Sequence, residues 1–318
     1  MKILYLHHEY GGRYERYGEV MTQFGHEVDY IPITSKIKPN QVFVKHIQES
    51  NPDLIWLLSP FYISHKVITD DALDYIKSKK IPIAIYSTLN TQIPYPETID
   101  IWKQMDFIFA NNKSMAEHFQ EQGLNSHYVP LACYLDQYYP VDKEKKWNVS
   151  FMGSPQTTVP LEDDRRIKCI KSLQKYGIIV FGDRFNKRNI RALRFSNHRE
   201  QREVYSRSKI NLDLPYINSP LGFYKDLYHV KNRFFEIPAT NNFMVTGRCD
   251  DFLELLDETM VGYYDGNSIE SLQETVERYL KDDFQRKQMS ERSYKVTKEK
   301  HTYWHRFRDM FEIINRGW

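Results

Sequence analysis

The chain has 318 residues, 41% of them hydrophobic, so it holds enough apolar material for two ordinary domain cores. Its 44 Lys and Arg nearly balance its 42 Asp and Glu, and a formal charge of +2 gives no support for a nucleic-acid partner of the whole chain. The longest apolar runs are far shorter than the roughly 20 residues that span a bilayer, and no signal-peptide pattern precedes the first strand, so we expect a soluble, cytoplasmic protein.

Short apolar strands alternate with amphipathic helical stretches through the first half of the chain, a pattern typical of a parallel sheet covered on both faces. Helical spacing is clear in Met115 and Phe119, which follow the capping pair Asn111 and Asn112. The pattern predicts a Rossmann-like domain over residues 1–140. Its predicted strands are 2–6, 27–33, 54–58, 83–86, 107–110 and 127–131.

The polar, aromatic and charged stretch 133–147 predicts an interdomain linker. A second series of strands and helices follows and predicts another Rossmann-like domain over residues 147–300. Residues 268–300 have a helical pattern throughout, and an aromatic-rich helix is predicted within residues 301–318. The predicted strands of this half are 148–152, 178–181, 210–214, 243–246 and 261–264.

In open parallel sheets, ligands bind beyond the carboxyl ends of the strands. The first predicted strand is followed by three ionisable side chains, His7, His8 and Glu9, and by Gly11 and Gly12. Two glycines let a backbone approach a ligand closely, although such a pair also makes an ordinary turn.

Two glycine-containing turns end strands of the second half. Gly153 and Ser154 follow one strand, and Gly182 and Arg184 follow the next. Each turn suits a backbone that passes close to a nucleotide, and each is equally compatible with plain turn chemistry.

The stretch 231–239 combines cations and a carboxylate at the start of a predicted helix. Lys231 and Arg233 are unfavourable for the helix dipole there, whereas a bound diphosphate would be favoured by it. Asn232 and Glu236 lie on neighbouring turns of the same helix. The alternative is that both cations are solvated and that Glu236 pairs with one of them.

A local excess of basic residues follows the second glycine turn, opposed only by Glu200 and Glu203. It has three possible roles: a solvated face, extra phosphate contacts, or a site for an anionic acceptor such as a teichoic-type polymer, a lipid-linked phosphate or DNA. The basic residues are Lys187, Arg188, Arg191, Arg194, Arg199, Arg202 and Arg207.

Four sequence blocks of the second half, taken together and in order, resemble the CgeB-type (spore maturation protein) glycosyltransferases of the GT-B superfamily. The blocks are 149–154, 205–212, 232–239, and 301–303 with Arg306. The resemblance implies a GT-B fold, in which two Rossmann-like domains face each other across a cleft and the C-terminal helix crosses back to the N-terminal domain. It also implies metal-independent, hexosyltransferase-type transfer from a nucleoside-diphosphate sugar, expected to be a UDP-sugar, to a hydroxyl-bearing acceptor, with no permanently bound cofactor.

The resemblance implies that Glu236 binds the ribose hydroxyls and that Lys231 and Arg233 lie near the diphosphate. One departure from the family pattern is Tyr228, which stands where many retaining enzymes carry a first glutamate. The stereochemical outcome therefore stays open. The other residues implied to bind the donor are Gly153, Ser154, Gly182, Arg184 and Asn232.

The resemblance places the acceptor on the N-terminal domain. An inverting enzyme needs a base there, for which His7, His8 and Glu9 are candidates, whereas a retaining enzyme needs none. The remaining acceptor-side candidates are Gly11 and Gly12 after the first strand, and Ser59 and Asn90 at two further strand ends. Two other functions stay open: a non-catalytic two-domain ligand-binding protein and a nucleotide-sugar epimerase of the same fold. The three separated cysteines form no CxxC or Cys/His motif, so neither a disulfide framework nor a metal site is expected.

Overall fold

A computed structural model of the chain describes residues 1–8, 15–33, 39–58, 68–87, 99–155, 164–194, 197–215 and 230–317. The chain divides into two compact units, Met1–Leu131 with Tyr303–Trp318, and Ala132–Thr302. Each unit contains its own β-sheet, and every strand pairing in both sheets is parallel. The prediction of two parallel-sheet α/β domains is confirmed.

The first unit holds a six-stranded sheet in the order β2-β1-β3-β4-β5-β6. The strands are β1 (Lys2–His8), β2 (Glu27–Ile33), β3 (Leu54–Leu57), β4 (Ile83–Ser87), β5 (Phe107–Ala110) and β6 (Ser126–Tyr128). The helices are α1 (Glu15–Thr22), α2 (Pro39–Ser50), α3 (Asp70–Ser78), α4 (Ile99–Trp102) and α5 (Lys113–Glu121). All residues of β3, β4 and β5 are buried, as expected of strands covered on both faces.

Local sequence sets the element ends in this unit. Asn112 caps α5 by accepting the N–H of Met115 at 3.0 Å, as predicted. The first strand runs two residues further than predicted, because His7 and His8 continue the parallel pairing with Pro32 and Ile33 of β2. The two histidines therefore end the strand instead of starting the loop after it.

The second unit holds a five-stranded sheet in the order β11-β10-β9-β7-β8. The strands are β7 (Trp147–Met152), β8 (Ile178–Phe181), β9 (Ser208–Asp213), β10 (Met244–Gly247) and β11 (Gly262–Tyr264). The helices are α6 (Arg165–Ser172), α7 (His198–Arg207), α8 (Arg233–Ala239), α9 (Asp250–Leu255), α10 (Ile269–Lys281) and α11 (Asp283–Lys300).

The continuous helix predicted over residues 268–300 is wrong in one respect. The helix breaks at Asp282, whose side chain accepts the N–H of Gln285 at 2.8 Å and so starts a new helix, α11. An aspartate that caps a helix competes with helix continuation, which explains the break.

The stretch predicted as a linker packs within the second unit. Cys133 and Tyr138 are 1% and 3% exposed and lie in a core cluster with Phe234 and Phe235 of α8. The backbone N–H of Cys133 donates to the carbonyl of His301 at 3.4 Å. The apolar and aromatic side chains of this stretch are thus buried in the core of the second unit, although most of its other residues are polar.

The last helix, α12 (Tyr303–Arg316), belongs to the first unit. The ring of Phe307 in this helix is fully buried, and its centre lies 5.4 Å from the ring centres of both Tyr17 of α1 and Trp56 of β3. Arg306 Nε donates to the carbonyl of Pro130 at 2.9 Å. The predicted return of the C-terminal helix to the N-terminal unit is therefore present.

Candidate functional site

The two glycine turns meet at the carboxyl ends of β7 and β8. The N–H of Gly153 donates to the carbonyl of Phe181 at 2.9 Å, and both Gly153 and Gly182 have positive φ, +157° and +143°. A Cβ placed on Gly182 would lie 1.7 Å from the carbonyl oxygen of Gly153. Only glycine allows these two backbones to approach so closely.

Arg233, the first residue of α8, lies against this double turn. A Cβ on Gly153 would lie 3.1 Å from an Nη atom of Arg233, and the guanidinium is 5.4 Å from the ring centre of Phe151. Its Nε is 3.6 Å from Oδ1 of Asp213, the last residue of β9. The side chain is thus fixed between the glycine turn and a buried carboxylate.

Arg166 of α6 joins the same place, although sequence reasoning did not single it out. It is 8% exposed, and its Nη1 donates to the carbonyl of Ser154 while its Nη2 donates to that of Leu214 at 3.3 Å. Lys231 Nζ donates to the same Leu214 carbonyl at 3.4 Å. We call Arg166, Lys231, Arg233 and Asp213 the cationic cluster.

Burial and mutual repulsion perturb the bases of the cluster. Desolvation, reinforced by the positive charge of Arg233, lowers the pKa of Arg166 to about 10. Desolvation also holds the pKa of Lys231 well below its usual value, and the charges of Arg166 and Arg233 act in the same direction. The carboxylate of Asp213 opposes both shifts.

The cluster carries more positive than negative charge. Within the described ranges, the fully buried carboxylate of Asp213 acts on all three basic side chains. Asp164, also fully buried, adds a second carboxylate that acts on Arg166, so three bases share two carboxylates. Nη1 of Arg233 is buried, and no atom of the described residues accepts a hydrogen bond from it. Buried charge of one sign is costly unless it is paired, so the cluster is arranged to receive an anion.

Glu236 lies one turn into α8, within a buried hydrogen-bonded network. It is 3% exposed, and its Oε2 accepts from Nε2 of Gln201 at 3.1 Å. Gln201 also contacts the hydroxyls of Tyr205 and Tyr138, at 2.6 and 2.8 Å. Burial and the charge of Glu236 raise the pKa of Tyr205. The carboxylate of Glu236 is therefore held in place by Gln201 of α7, which is itself fixed by Tyr205 and Tyr138.

The other residues predicted to bind the donor are placed as follows. Asn232 donates to the carbonyl of Ala132 at 3.2 Å. The exposed Ser154 contributes its backbone carbonyl to Arg166. Arg184 is exposed, has φ +69°, and lines a cavity of about 420 Å³ with Pro155, Lys187 and Arg188.

The acceptor-side candidates are less completely described. His7 and His8 end β1. Glu9, Gly11, Gly12, Ser59 and Asn90 lie outside the described residues, as does Tyr228. Their proposed roles stay predictions.

The described ranges also bear on metal sites, membrane spans and disulfides. No group of three or more His, Cys, Asp and Glu side chains there is placed to hold a metal ion. No helix among those residues has the length and apolar character needed to cross a membrane. The three cysteines, all of them described, form no disulfide.

Comparison with known proteins identifies the fold. Residues 165–312 match the model of a family described as glycosyl transferase-like. No curated protein sequence matches the chain. The CgeB-type resemblance stays a prediction.

Three similar solved structures cover nearly the whole chain. Sucrose-phosphate synthase from Thermosynechococcus elongatus is 11% identical over 99% of this chain and 98% of its own, with a TM-score of 0.69. A glycosyltransferase from Rickettsia africae is 13% identical over the same shares, with a TM-score of 0.66. An α,α-trehalose-phosphate synthase (UDP-forming) from Burkholderia vietnamiensis is 11% identical over all of both chains, with a TM-score of 0.61. The chain thus has the fold of the GT-B glycosyltransferases, and its second half matches the glycosyl transferase-like family, which supports sugar transfer as its chemistry.

Proposed function

We propose that the chain is a glycosyltransferase that moves a sugar from a nucleoside-diphosphate sugar to an acceptor hydroxyl, without a metal ion. The observation that carries the proposal is the excess of buried positive charge in the cationic cluster, beside two glycine turns that pack against each other and against Arg233. The fold and the family match support the reaction class.

The chemistry follows from where charge develops. When the bond from the sugar to the diphosphate breaks, negative charge grows on the leaving phosphate. Arg166, Lys231 and Arg233 are held by backbone carbonyls and by Asp213, so they need little rearrangement to stabilise that charge. Fixed cations in a site of low dielectric act more strongly than solvated ones.

The remaining donor contacts extend the same proposal. Glu236 binds the ribose hydroxyls, because a buried carboxylate supplies two acceptor oxygens for a diol. Gly153 and Gly182 let the nucleotide lie against the backbone. UDP is the expected nucleotide, since one structural neighbour is described as UDP-forming. On the acceptor side, His7, His8 and Glu9 are the candidates for a base if the reaction inverts the anomeric centre.

Binding of diphosphates tests the donor site. We would titrate the wild type with UDP, GDP, dTDP, CDP and ADP in EDTA, by calorimetry and thermal shift, and repeat the titration with Arg166→Gln and Glu236→Ala. Arg165→Gln is the matched control, since Arg165 precedes Arg166 on α6 but is only half-buried and donates to Asn267. Loss of one charge-assisted hydrogen bond, worth about 1.5 to 3 kcal/mol, predicts roughly 10- to 150-fold weaker binding for Arg166→Gln and little change for the control.

Three outcomes would contradict parts of the proposal. If none of the five diphosphates binds, the cationic cluster is not a donor site. If one binds but no acceptor-dependent release of free diphosphate is found, the chain is a binding protein. If the sugar is altered on the nucleotide without any acceptor, the chain is an epimerase. Activity that appears only with added Mg²⁺ would contradict metal independence.

A further inference from the structure

Apart from Arg184, which is predicted to bind the donor, the donor site leaves unused the basic segment that follows the second glycine turn. Residues 184–207 carry eight Arg and Lys against two Glu, within a chain whose whole formal charge is +2. The rest of the chain is therefore net acidic, and the positive charge is concentrated in this one stretch. Seven of the eight bases are arginines, whose planar guanidinium binds phosphate oxygens in pairs.

The segment lies along the outer strand of the second sheet. β8 is the edge strand, and Leu193 runs beside it: the N–H of Leu193 donates to Val180 at 2.9 Å, and the N–H of Gly182 donates to Leu193 at 2.8 Å. Because Gly182 touches the carbonyl of Gly153, the segment begins beside the proposed donor site. Charged side chains on an edge strand also prevent another strand from pairing with it, but a few cations are enough for that role. The number of bases here therefore needs a further explanation.

Some of these bases have structural partners. Arg202 is buried, lies 3.8 Å above the ring of Tyr139 and donates to Gln137. Arg207 pairs with Glu203 at 3.5 Å. Arg194 is 3.7 Å from Asp183 but remains 92% exposed. The first of the three possible roles, a solvated face, therefore does not apply to Arg202.

Four of the remaining bases are exposed and unpaired with any carboxylate of the described residues. They are Arg184, Lys187, Arg191 and Arg199. Together with Arg194 they form what we call the basic edge.

Two cavities open on the basic edge. The first, of about 420 Å³, is lined by Pro155, Arg184, Lys187 and Arg188, with no acidic residue among them. The second, of about 460 Å³, is lined by Arg194, Arg199 and Arg207 together with Glu200 and Glu203, and has Trp147 and Phe181 in its wall. Two cavities with arginines in their walls, the first of them purely basic, suit a ligand whose anionic groups repeat along a chain. A single small anion would fill only part of one.

We propose that the basic edge binds a polyanionic acceptor, a polymer with a phosphate group in each repeating unit, and guides it toward the donor site. This inference rests on the proposed function, since it names the acceptor class of that reaction. Pro155 connects the two sites, because it lines the first cavity and directly follows the Gly153–Ser154 turn that carries the contacts of Arg166 and Arg233.

The test compares two triple variants that remove the same charge. Lys187→Ala/Arg191→Ala/Arg199→Ala strips the basic edge, while Arg292→Ala/Lys295→Ala/Lys298→Ala removes three exposed bases from α11. The probe is fluorescently labelled inorganic polyphosphate, titrated by anisotropy at several salt concentrations. We expect the first variant to bind at least about 10-fold more weakly and its salt slope to fall by about 2, since each lost contact removes roughly 0.7. The α11 variant should stay within about 2-fold of wild type.

Equal weakening by both triple variants would overturn the proposal, because only net charge would then matter. Tighter binding of single-stranded DNA than of polyphosphate at matched charge would point to base recognition and also overturn it. Equal binding of polyglutamate would remove the preference for phosphate. Any of these results with diphosphate binding intact leaves the donor site standing. Polyphosphate binding without any nucleoside-diphosphate binding would instead sink the acceptor role together with the proposed function.

Discussion

Substitution of Gly182 by alanine tests the close approach of the two glycine turns. The new Cβ would stand 1.7 Å from the carbonyl oxygen of Gly153, whereas real Cβ atoms keep at least 3.0 Å, so the Gly153 turn must move by more than an ångström. The φ of +143° adds a backbone penalty of about 1 to 3 kcal/mol. Displacement also breaks the hydrogen bond from Gly153 to Phe181, worth about 1 kcal/mol.

We therefore expect Gly182→Ala to lower the free energy of unfolding by about 3 kcal/mol or more and to weaken diphosphate binding. Gly177→Ala is the control: its φ is +72°, but no atom lies within 4 Å of the added Cβ, so it should cost only about 1 to 2 kcal/mol. Urea unfolding followed by circular dichroism measures both. The reasoning is refuted if the two variants agree within about 0.5 kcal/mol and bind the diphosphate equally well.

Three further predictions concern stability. Phe307→Ala should cost about 3 to 5 kcal/mol in urea unfolding because its ring is fully buried, whereas Phe284→Ala, at a 71% exposed position, should cost less than about 0.5 kcal/mol; similar costs would argue against the packing of α12. Asp213→Asn removes the carboxylate beside Arg233 and should cost about 3 to 5 kcal/mol, partly recovered by added phosphate in a thermal-unfolding assay; no recovery would speak against an anion site. Burial lowers the pKa of Lys145 to about 8, so between pH 8 and 10.5 the unfolded chain binds more protons than the folded one. The free energy of unfolding of wild type, relative to that of Lys145→Met, should therefore rise with pH over this range. A pH-independent difference between the two would contradict this.

Strand positions were well predicted because their signal is local. The β5 segment is a continuous apolar run bounded by polar residues and the β8 segment is one bounded by glycines, and the structure has both at the predicted residues. The break at Asp282 was missed, since an aspartate between two helical patterns is also tolerated on an exposed helix face. The C-terminal helix was predicted from its aromatic content, although its partners Tyr17 and Trp56 lie more than two hundred residues away.

The candidate site was predicted less completely. Lys231 and Arg233 were found because cations at a helix start are unusual. Arg166 was missed, since one of two adjacent arginines near a helix start gives no sign that tertiary packing buries it against Ser154 and Leu214. Asp213 was also missed, although its sequence position gave a usable signal. It is a carboxylate at the carboxyl end of an apolar strand, and polar residues at other strand ends were taken as site candidates.

The placement of α12 has a consequence for how the protein is made. The aromatic core around Trp56 is completed by Phe307 and Phe311, which leave the ribosome only after residues 132–302 have done so. The first unit therefore waits for the synthesis of the entire second unit, while residues 132–302 have all their own segments earlier. Folding during translation should thus run from the second unit to the first, against the N-terminal-first order usual for multidomain chains. Nascent chains that stop before Tyr303 should bind chaperones that hold unfolded segments, and only their second unit should become resistant to protease.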